Sequence, residues 1–104
     1  MKINTRNVKG IPVLDLKGSL VGTDIGGIIA KSAQSTKSNQ IVINLSGLDK
    51  MDSSGLGELV AVTKELATRG IDSLFVAIPT QLALLRTTKL NAFDDEIDAI
   101  NSFR

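Results

Sequence analysis

The stretch MDSSGLGELV, Met51–Val60, lies between an apolar run typical of a strand and an apolar run with helical spacing. An acid, two hydroxyl residues and two glycines occupy what we predict to be the start of a helix. Aspartate and serine favour such a position because their side chains accept hydrogen bonds from the first, otherwise unpaired N–H groups. These small residues either serve only to begin the helix or allow another molecule to approach closely, and the motif by itself allows both interpretations.

On the carboxyl side of this motif, the sequence predicts a helix over residues 53–68, ended by Arg69 and the left-handed conformation that Gly70 allows. One stripe of the helix should face the core. The predicted stripe consists of Leu56, Leu59, Val60, Thr63, Leu66 and Ala67. On the amino side, QIVINL (Gln40–Leu45) is a short β-branched run, which predicts a strand covered on both faces.

The N-terminal third predicts a β-hairpin followed by a helix. Its strands are Lys2–Val8 and the IPVLDLKG segment, joined by a tight turn at Lys9 and Gly10. In the second strand Ile11 and Val13 should face one way, and Leu14 and Leu16 the other. The helix is expected between Gly22 and Ser38. Its N-cap candidates and apolar positions are Thr23 or Asp24, then Ile25, Ile28, Ile29 and Ala33.

The C-terminal third predicts another interior strand, Leu74–Ile78, and then a helix that Pro79 opens. Residues 90–93 predict a short edge strand, and the final helix begins with Asp94, Asp95 and Glu96 near the positive end of its dipole. The predicted order is β-β-α-β-α-β-α-(β)-α. It indicates one α/β domain over residues 1–104, a small mixed sheet of four to five strands with helices packed against it.

The composition excludes several classes of function. The chain has no cysteine and no histidine, so disulfides, thiolate chemistry, histidine-based metal sites and Ser-His nucleophiles are ruled out. A net charge of +1, with no Trp or Tyr, argues against a nucleic-acid binder. The N-terminus resembles no signal peptide, and the apolar runs are too short to span a membrane. We therefore expect a soluble cytoplasmic domain that needs no metal or cofactor.

The motif MDSSGLG suggests a modification and docking site. Ser53 and Ser54 would lie at a helix N-terminus, where N–H groups and the dipole favour an added phosphate. A serine hydrolase is disfavoured because the G-x-S-x-G pattern and a histidine base are missing, and a P-loop is disfavoured because its Gly-Lys-Ser/Thr sequence is missing. Helical spacing places four residues on the same face of the helix as Ser54. We expect this face to point away from the core, and two of its four residues are apolar and could contact a partner. That face comprises Glu58, Ala61, Val62 and Glu65.

The segment IVINLSGLDKMDSSGLGELV resembles the signature of the STAS domain family, specifically the stand-alone anti-sigma-factor antagonists of bacteria. The resemblance extends to GSL (Gly18–Leu20), where the family ends its second strand, and to VAIPTQLALLRTTKLNAF and the terminal DDEIDAINSF. It covers most of the chain.

This resemblance implies a partner-switching regulator without catalytic activity. In the family the second serine of the motif, here Ser54, is phosphorylated by a GHKL-type serine kinase, which is often the anti-sigma factor itself. The unphosphorylated antagonist binds that kinase and releases its client, and a serine phosphatase resets the switch. The resemblance assigns the loop and helix cap to Asp52, Ser53, Gly55 and Gly57, and anchorage to Leu56.

The sequence departs from the family pattern at one place. Many antagonists carry an aspartate directly after the G-x-L of strand two, whereas this chain has Val21 there, and Asp24 is the nearby carboxylate that could take over its contact. Two other functions remain open: an unphosphorylated accessory STAS module of a signalling assembly or lipid-transport system, and a small-ligand or nucleotide sensor. We expect a monomer in each case.

Overall fold

The computed structural model describes residues 2–20 and 25–103. The elements, in chain order, are β1 (Lys2–Val8), β2 (Ile11–Leu20), α1 (Ile25–Ser35), β3 (Gln40–Asn44), β4 (Leu48–Met51), α2 (Ser53–Thr68), β5 (Asp72–Val76), α3 (Pro79–Thr87), β6 (Ala92–Phe93) and α4 (Glu96–Ser102). This order confirms the α/β prediction with one exception. The prediction of four to five strands missed β4, and the described sheet has six strands.

The sheet is mixed, with the strand order β1-β2-β3-β5-β6, and β4 pairs with β2 off this path. The pair β1–β2 is antiparallel, and the other pairs are parallel. The predicted hairpin is confirmed: Lys9 and Gly10 both have positive φ, 52° and 83°, as a two-residue type I′ turn requires. The short strand β6 lies at the sheet edge as predicted.

Helices cover the two faces of the sheet unequally. The larger core contains Leu14, Leu16 and the buried side chains of α1, α2 and α3, whereas the smaller core packs Ile11 and Val13 with α4. This division confirms the predicted alternation along β2. Strand β3 is buried on both faces, also as predicted, because its side chains contribute to both cores.

Helix α1 forms where the apolar spacing predicted it, but not every one of those apolar positions is buried. Ile29 and Ala33 are fully buried, whereas Ile28 is 57% exposed. Buried Gly26 and Ala30 complete the inner face instead, because α1 packs along α2 as well as over the sheet. The predicted N-caps Thr23 and Asp24 lie outside the described residues.

Helix α2 has the predicted bounds but a rotated buried face. Its buried residues are Gly55, Leu59, Val62 and Leu66, whereas Leu56 and Val60 are half-buried against the core and Ala67 is exposed. The helix ends as predicted: Arg69 is the C-cap and Gly70 follows with φ 74°. The neighbouring α1 explains the rotation, since it covers a side of α2 that we predicted to face solvent.

Strand β5 and the start of α4 differ from their predicted boundaries, whereas α3 begins where it was predicted. Strand β5 covers Asp72–Val76, so the predicted bounds Leu74–Ile78 are wrong at both ends. Ile78 is 43% exposed and directly precedes Pro79, which opens α3 as predicted. Helix α4 begins after Asp95, whose side chain accepts a hydrogen bond from the Ile97 N–H at 2.8 Å.

A charged network ties α4 to the hairpin. The Arg6 guanidinium forms ion pairs with Asp15 on β2 and Glu96 on α4, and Asn44 donates to Glu96 Oε1 at 3.3 Å. Two hydrogen bonds raise the pKa of Arg6 above its ordinary value: the bond to Asp15 contributes most, and the bond to Glu96 contributes next. The network therefore holds the helix of the smaller core against the antiparallel edge of the sheet.

Candidate functional site

The start of α2 is fixed by its N-cap. Asp52 has an extended backbone, and its Oδ1 accepts a hydrogen bond from the Gly55 N–H at 2.7 Å. One of the unpaired N–H groups of the first turn is thereby satisfied, as an aspartate N-cap usually does. The carboxylate of Asp52 therefore lies at the positive end of the helix dipole.

Ser53 and Ser54 are the first two residues of α2, and both are exposed. At the described helix start the capping hydrogen bond involves Asp52 and not the hydroxyls. The two hydroxyls therefore face solvent at a place where backbone N–H groups favour an anion. The positions of the two hydroxyl groups therefore follow from the position of the backbone in the first turn of α2.

Gly55 is the residue at which the helix touches the sheet. A Cβ atom at Gly55 would lie 2.0 Å from the carbonyl oxygen of Leu20, the last residue of β2. The same carbonyl accepts a hydrogen bond from the Asp52 N–H at 3.3 Å. Gly57 differs, because a Cβ there would meet nothing within 4 Å. Close approach thus explains the first glycine of the motif but not the second.

The structure contradicts one residue of the predicted partner face. Val62 is only 1% exposed, so it cannot contribute the exposed apolar strip that we predicted. The cause is α1: a Cβ at Gly26 would lie 2.9 Å from Glu58 Oε2 and 3.4 Å from Val62 Cγ2. Glu58 itself is half-buried, and Ala61 is exposed.

The other predicted contacts are distributed along the helix. Glu65 is exposed and pairs with Arg69 at 3.7 Å, an i,i+4 pair that points toward the C-terminal end of α2. Asp24 and Val21 lie outside the described residues. The candidate surface is accordingly narrower than predicted and, among the described residues, comprises Ser53, Ser54, Gly57, Glu58, Ala61 and Glu65.

A groove of about 190 Å³ lies between β4 and α3. Its apolar lining is Leu48, Met51, Ile78 and Leu84, and its polar lining is Asp49, Lys50, Thr80 and Gln81. Sequence reasoning missed it because the groove depends on β4. Ligand pockets for drug-sized molecules usually hold roughly 300–1,000 Å³, so this groove is small for a nucleotide.

The start of α2 presents two exposed hydroxyl groups. Within residues 2–20 and 25–103, no group of three or more acidic side chains could hold a metal ion. The same part of the chain contains no helix that combines the length and the apolarity needed to cross a bilayer.

Comparison with known proteins agrees with this architecture. A family model described as "STAS domain" matches residues 2–102. An anti-sigma factor antagonist from Mycobacterium paratuberculosis superposes with a TM-score of 0.72 at 19% identity, covering 97% of this chain and 92% of that one. The antagonist SpoIIAA superposes in its unphosphorylated form with a TM-score of 0.67 at 22% identity, covering 99% and 98%.

The phosphorylated form of SpoIIAA from Bacillus gives a TM-score of 0.66 at 20% identity, covering 99% of this chain and 100% of that one. No curated protein sequence matches this chain. At these identities the solved structures establish a shared fold.

Proposed function

The chain belongs to the STAS domain family, and on that premise we propose that it is an anti-sigma-factor antagonist switched by phosphorylation of Ser54. The observation that carries the proposal is the exposed Ser54 at the second position of α2, two residues after the Asp52 cap. In the proposed cycle, the unphosphorylated chain binds a GHKL-type serine kinase that is also the anti-sigma factor. Binding releases the client of that kinase.

The phosphoryl transfer needs only a positioned hydroxyl from this chain. The Ser54 oxygen attacks the γ-phosphorus of ATP, an O–P bond forms, and the bond to the leaving ADP oxygen breaks. The hydroxyl proton passes to a base of the kinase, which also supplies the magnesium ion. This protein therefore acts as substrate and partner, without catalytic activity of its own.

The added charge explains how one phosphate can end binding. A phosphoserine carries about −1.5 to −2 charge at neutral pH. It would share the helix start with the Asp52 carboxylate, which already accepts the Gly55 N–H. Outside a complex, water screens this repulsion, but inside an interface the same charges are poorly solvated. A loss of about 3 kcal/mol in binding would lower the affinity more than a hundredfold.

The fold is expected to stay the same in both states. An anion near a helix N-terminus gains about 0.3–1 kcal/mol, which offsets part of the repulsion from Asp52. The similar superposition on both forms of SpoIIAA supports a switch that changes affinity rather than fold. The rest of the proposal is that the chain is a cytoplasmic monomer and that a serine phosphatase resets it.

The decisive experiment is a pull-down with the wild-type chain and Ser54→Asp, followed by incubation of the recovered kinase with ATP. We expect one phosphate, on Ser54, and none on Ser54→Ala, whereas Ser53→Ala should still be phosphorylated. Ser54→Asp should lose the kinase while its circular dichroism stays that of the wild type. Label on another residue, or equal recovery by both baits, would contradict the switch.

An accessory STAS module is the second candidate, and Val21 favours it, because many antagonists have an aspartate at that position. Such a module would use the same α2 surface without phosphorylation. The same pull-down separates the two functions: an accessory module would retain its partner in the Ser54→Asp variant and would recover no kinase.

A further inference from the structure

We propose that a β-bulge between β2 and β4 sets the position of the Ser54 hydroxyl, and that Gly18, at the bulge, is a positioning residue for its phosphorylation. The geometric part of this inference concerns the start of α2 alone. Its consequence for phosphoryl transfer rests on the proposed function.

The bulge appears in the register of the parallel pair β2–β4. Gly18 pairs with Leu48, but Ser19 pairs with Lys50 and Leu20 pairs with Met51. Strand β4 therefore holds one extra residue, Asp49, opposite the step from Gly18 to Ser19. Gly18 has φ 102°, in the region that favours glycine. Bulges are rare in parallel pairs, and they commonly re-aim the chain near functional sites.

The bulge determines which amide of this sequence meets the end of β2. With the bulge, Met51 is opposite Leu20, and the next residue, Asp52, donates its N–H to the Leu20 carbonyl at 3.3 Å. If the same residues paired without a bulge, Lys50 would lie opposite Leu20 in place of Met51. A shift of one residue also exchanges the two faces of a strand, so half-buried Met51 would turn outward. The N-cap would then no longer reach the carbonyl that holds it.

The contact at Leu20 leaves no room for the end of β2 to move toward α2. The Gly55 backbone lies so close that a Cβ there would be 2.0 Å from the Leu20 oxygen, and Leu20 is fully buried. Movement of this carbonyl toward the helix must therefore move the first turn of α2. Ser54 is the residue before Gly55, and its exposed side chain follows the backbone. The bulge and Gly18 on β2 thus determine the position of the backbone at Ser54, and through it the position of the Ser54 hydroxyl.

The first test needs no partner. Hydrogen exchange of the Asp52 amide, followed by NMR, reports its bond to Leu20 directly. Gly18→Ala should abolish the protection of this amide, because alanine is strained at the positive φ that the bulge requires of residue 18. Asp49→Ala, which keeps the residue count and the bulge, should retain the protection. Gly70→Ala is the matched control, because it places alanine at a similarly positive φ of 74° at the other end of α2.

The second test measures phosphorylation by the kinase that modifies the wild-type chain, at a temperature where circular dichroism shows every variant folded. Displacement of a reacting group by about 1 Å can cost about a hundredfold in rate. We expect Gly18→Ala to lose about this factor in kcat with a smaller change in KM, because the misplaced hydroxyl matters most in the transition state. Gly70→Ala should match the wild type.

The outcomes separate this inference from the proposed function. Protection at Asp52 that survives in Gly18→Ala would overturn the positioning role, whatever the kinase does. Equal losses of kcat in Gly18→Ala and Gly70→Ala would also overturn it, because they would reflect general destabilisation. A wild-type chain that no kinase phosphorylates would instead overturn the proposed function and leave the exchange experiment valid.

Discussion

Helices α2 and α3 both begin at the carboxyl edge of the sheet, yet their first turns are built differently. The start of α2 has a side-chain cap from Asp52 and two exposed serines. The start of α3 follows Ile78, which has no side-chain acceptor, and its first residue, Pro79, has no N–H group. There Gln81 Oε1 accepts from the Ile78 N–H at 3.0 Å, while its Nε2 donates to the Leu45 carbonyl at 3.0 Å.

Under the proposed function, this difference is the reason why we assign the phosphorylation site to the start of α2 and not to the start of α3. The first turn of α3 has one N–H fewer and exposes an apolar side chain, so it offers little to an anion. The first turn of α2 offers backbone N–H groups and two hydroxyls at the surface. Both helix starts have the positive end of a helix dipole, so the residues around each start determine how well it can accommodate an anion.

The largest effect should come from filling the close contact at the start of α2. Gly55→Ala places a methyl group against the Leu20 carbonyl and should lower the free energy of unfolding by about 3 kcal/mol. Gly57→Ala, two residues along the same helix, meets open space and should raise it by about 1 kcal/mol. Urea unfolding followed by circular dichroism measures both changes. A stabilised Gly55→Ala would show that the helix can move away from β2.

A smaller effect should distinguish the two kinds of cap. Gln81 is buried, and Gln81→Ala leaves the Ile78 N–H without its partner and removes one of the two donors to the Leu45 carbonyl, which still accepts from the Leu48 N–H. This loss should cost about 2 kcal/mol. Asp52→Ala removes an exposed cap and should cost about 1 kcal/mol. The same unfolding measurement ranks the two, with Asp52→Asn as the conservative control. The reverse ranking would mean that the exposed cap contributes more to the fold than the buried amide does.

The smallest effect concerns the other ends of these helices. Both helices end in the same hydrogen-bonding pattern, but Gly70 follows α2 whereas Lys89 follows α3, with φ 74° and 62°. A left-handed lysine is strained, so Lys89→Gly should stabilise the fold by up to about 1 kcal/mol. Gly70→Lys should destabilise it by a similar amount. The shifts in Tm should have opposite signs, and shifts of the same sign would contradict the comparison.

The sequence predicted most of the fold because most elements have regular periodicity and clear end signals. Helix α2 has a capping acid, an apolar stripe and a terminal glycine, and its bounds were predicted correctly. Strand β4 was missed because the bulge breaks its alternation. Leu48 and Met51, three residues apart, are its two less exposed residues, and the two between them are exposed. A period of two could not reveal such a strand.

The errors at the site come from a contact between helices. Val62 was assigned to the exposed face because helical spacing gives the angle between residues but not the direction in which the core lies. Gly26 allows α1 to approach α2 closely, and this approach buries Val62 while it leaves Ile28 exposed. The position of Ser54 at the helix start followed from local residues alone and was predictable. The groove between β4 and α3 depends on residues far apart in the chain and was not.

The two cores lie on opposite faces of the sheet, and this arrangement allows a probe to be attached far from Ser54. Helix α4 packs on the face of the sheet that α2 does not cover, and Asn101 on α4 is exposed. Since the chain has no cysteine, Asn101→Cys would give a single thiol for a fluorescent dye on the far side of the sheet from Ser54. Anisotropy of that dye would report complex formation and its reversal by phosphate, without a label at the contact itself.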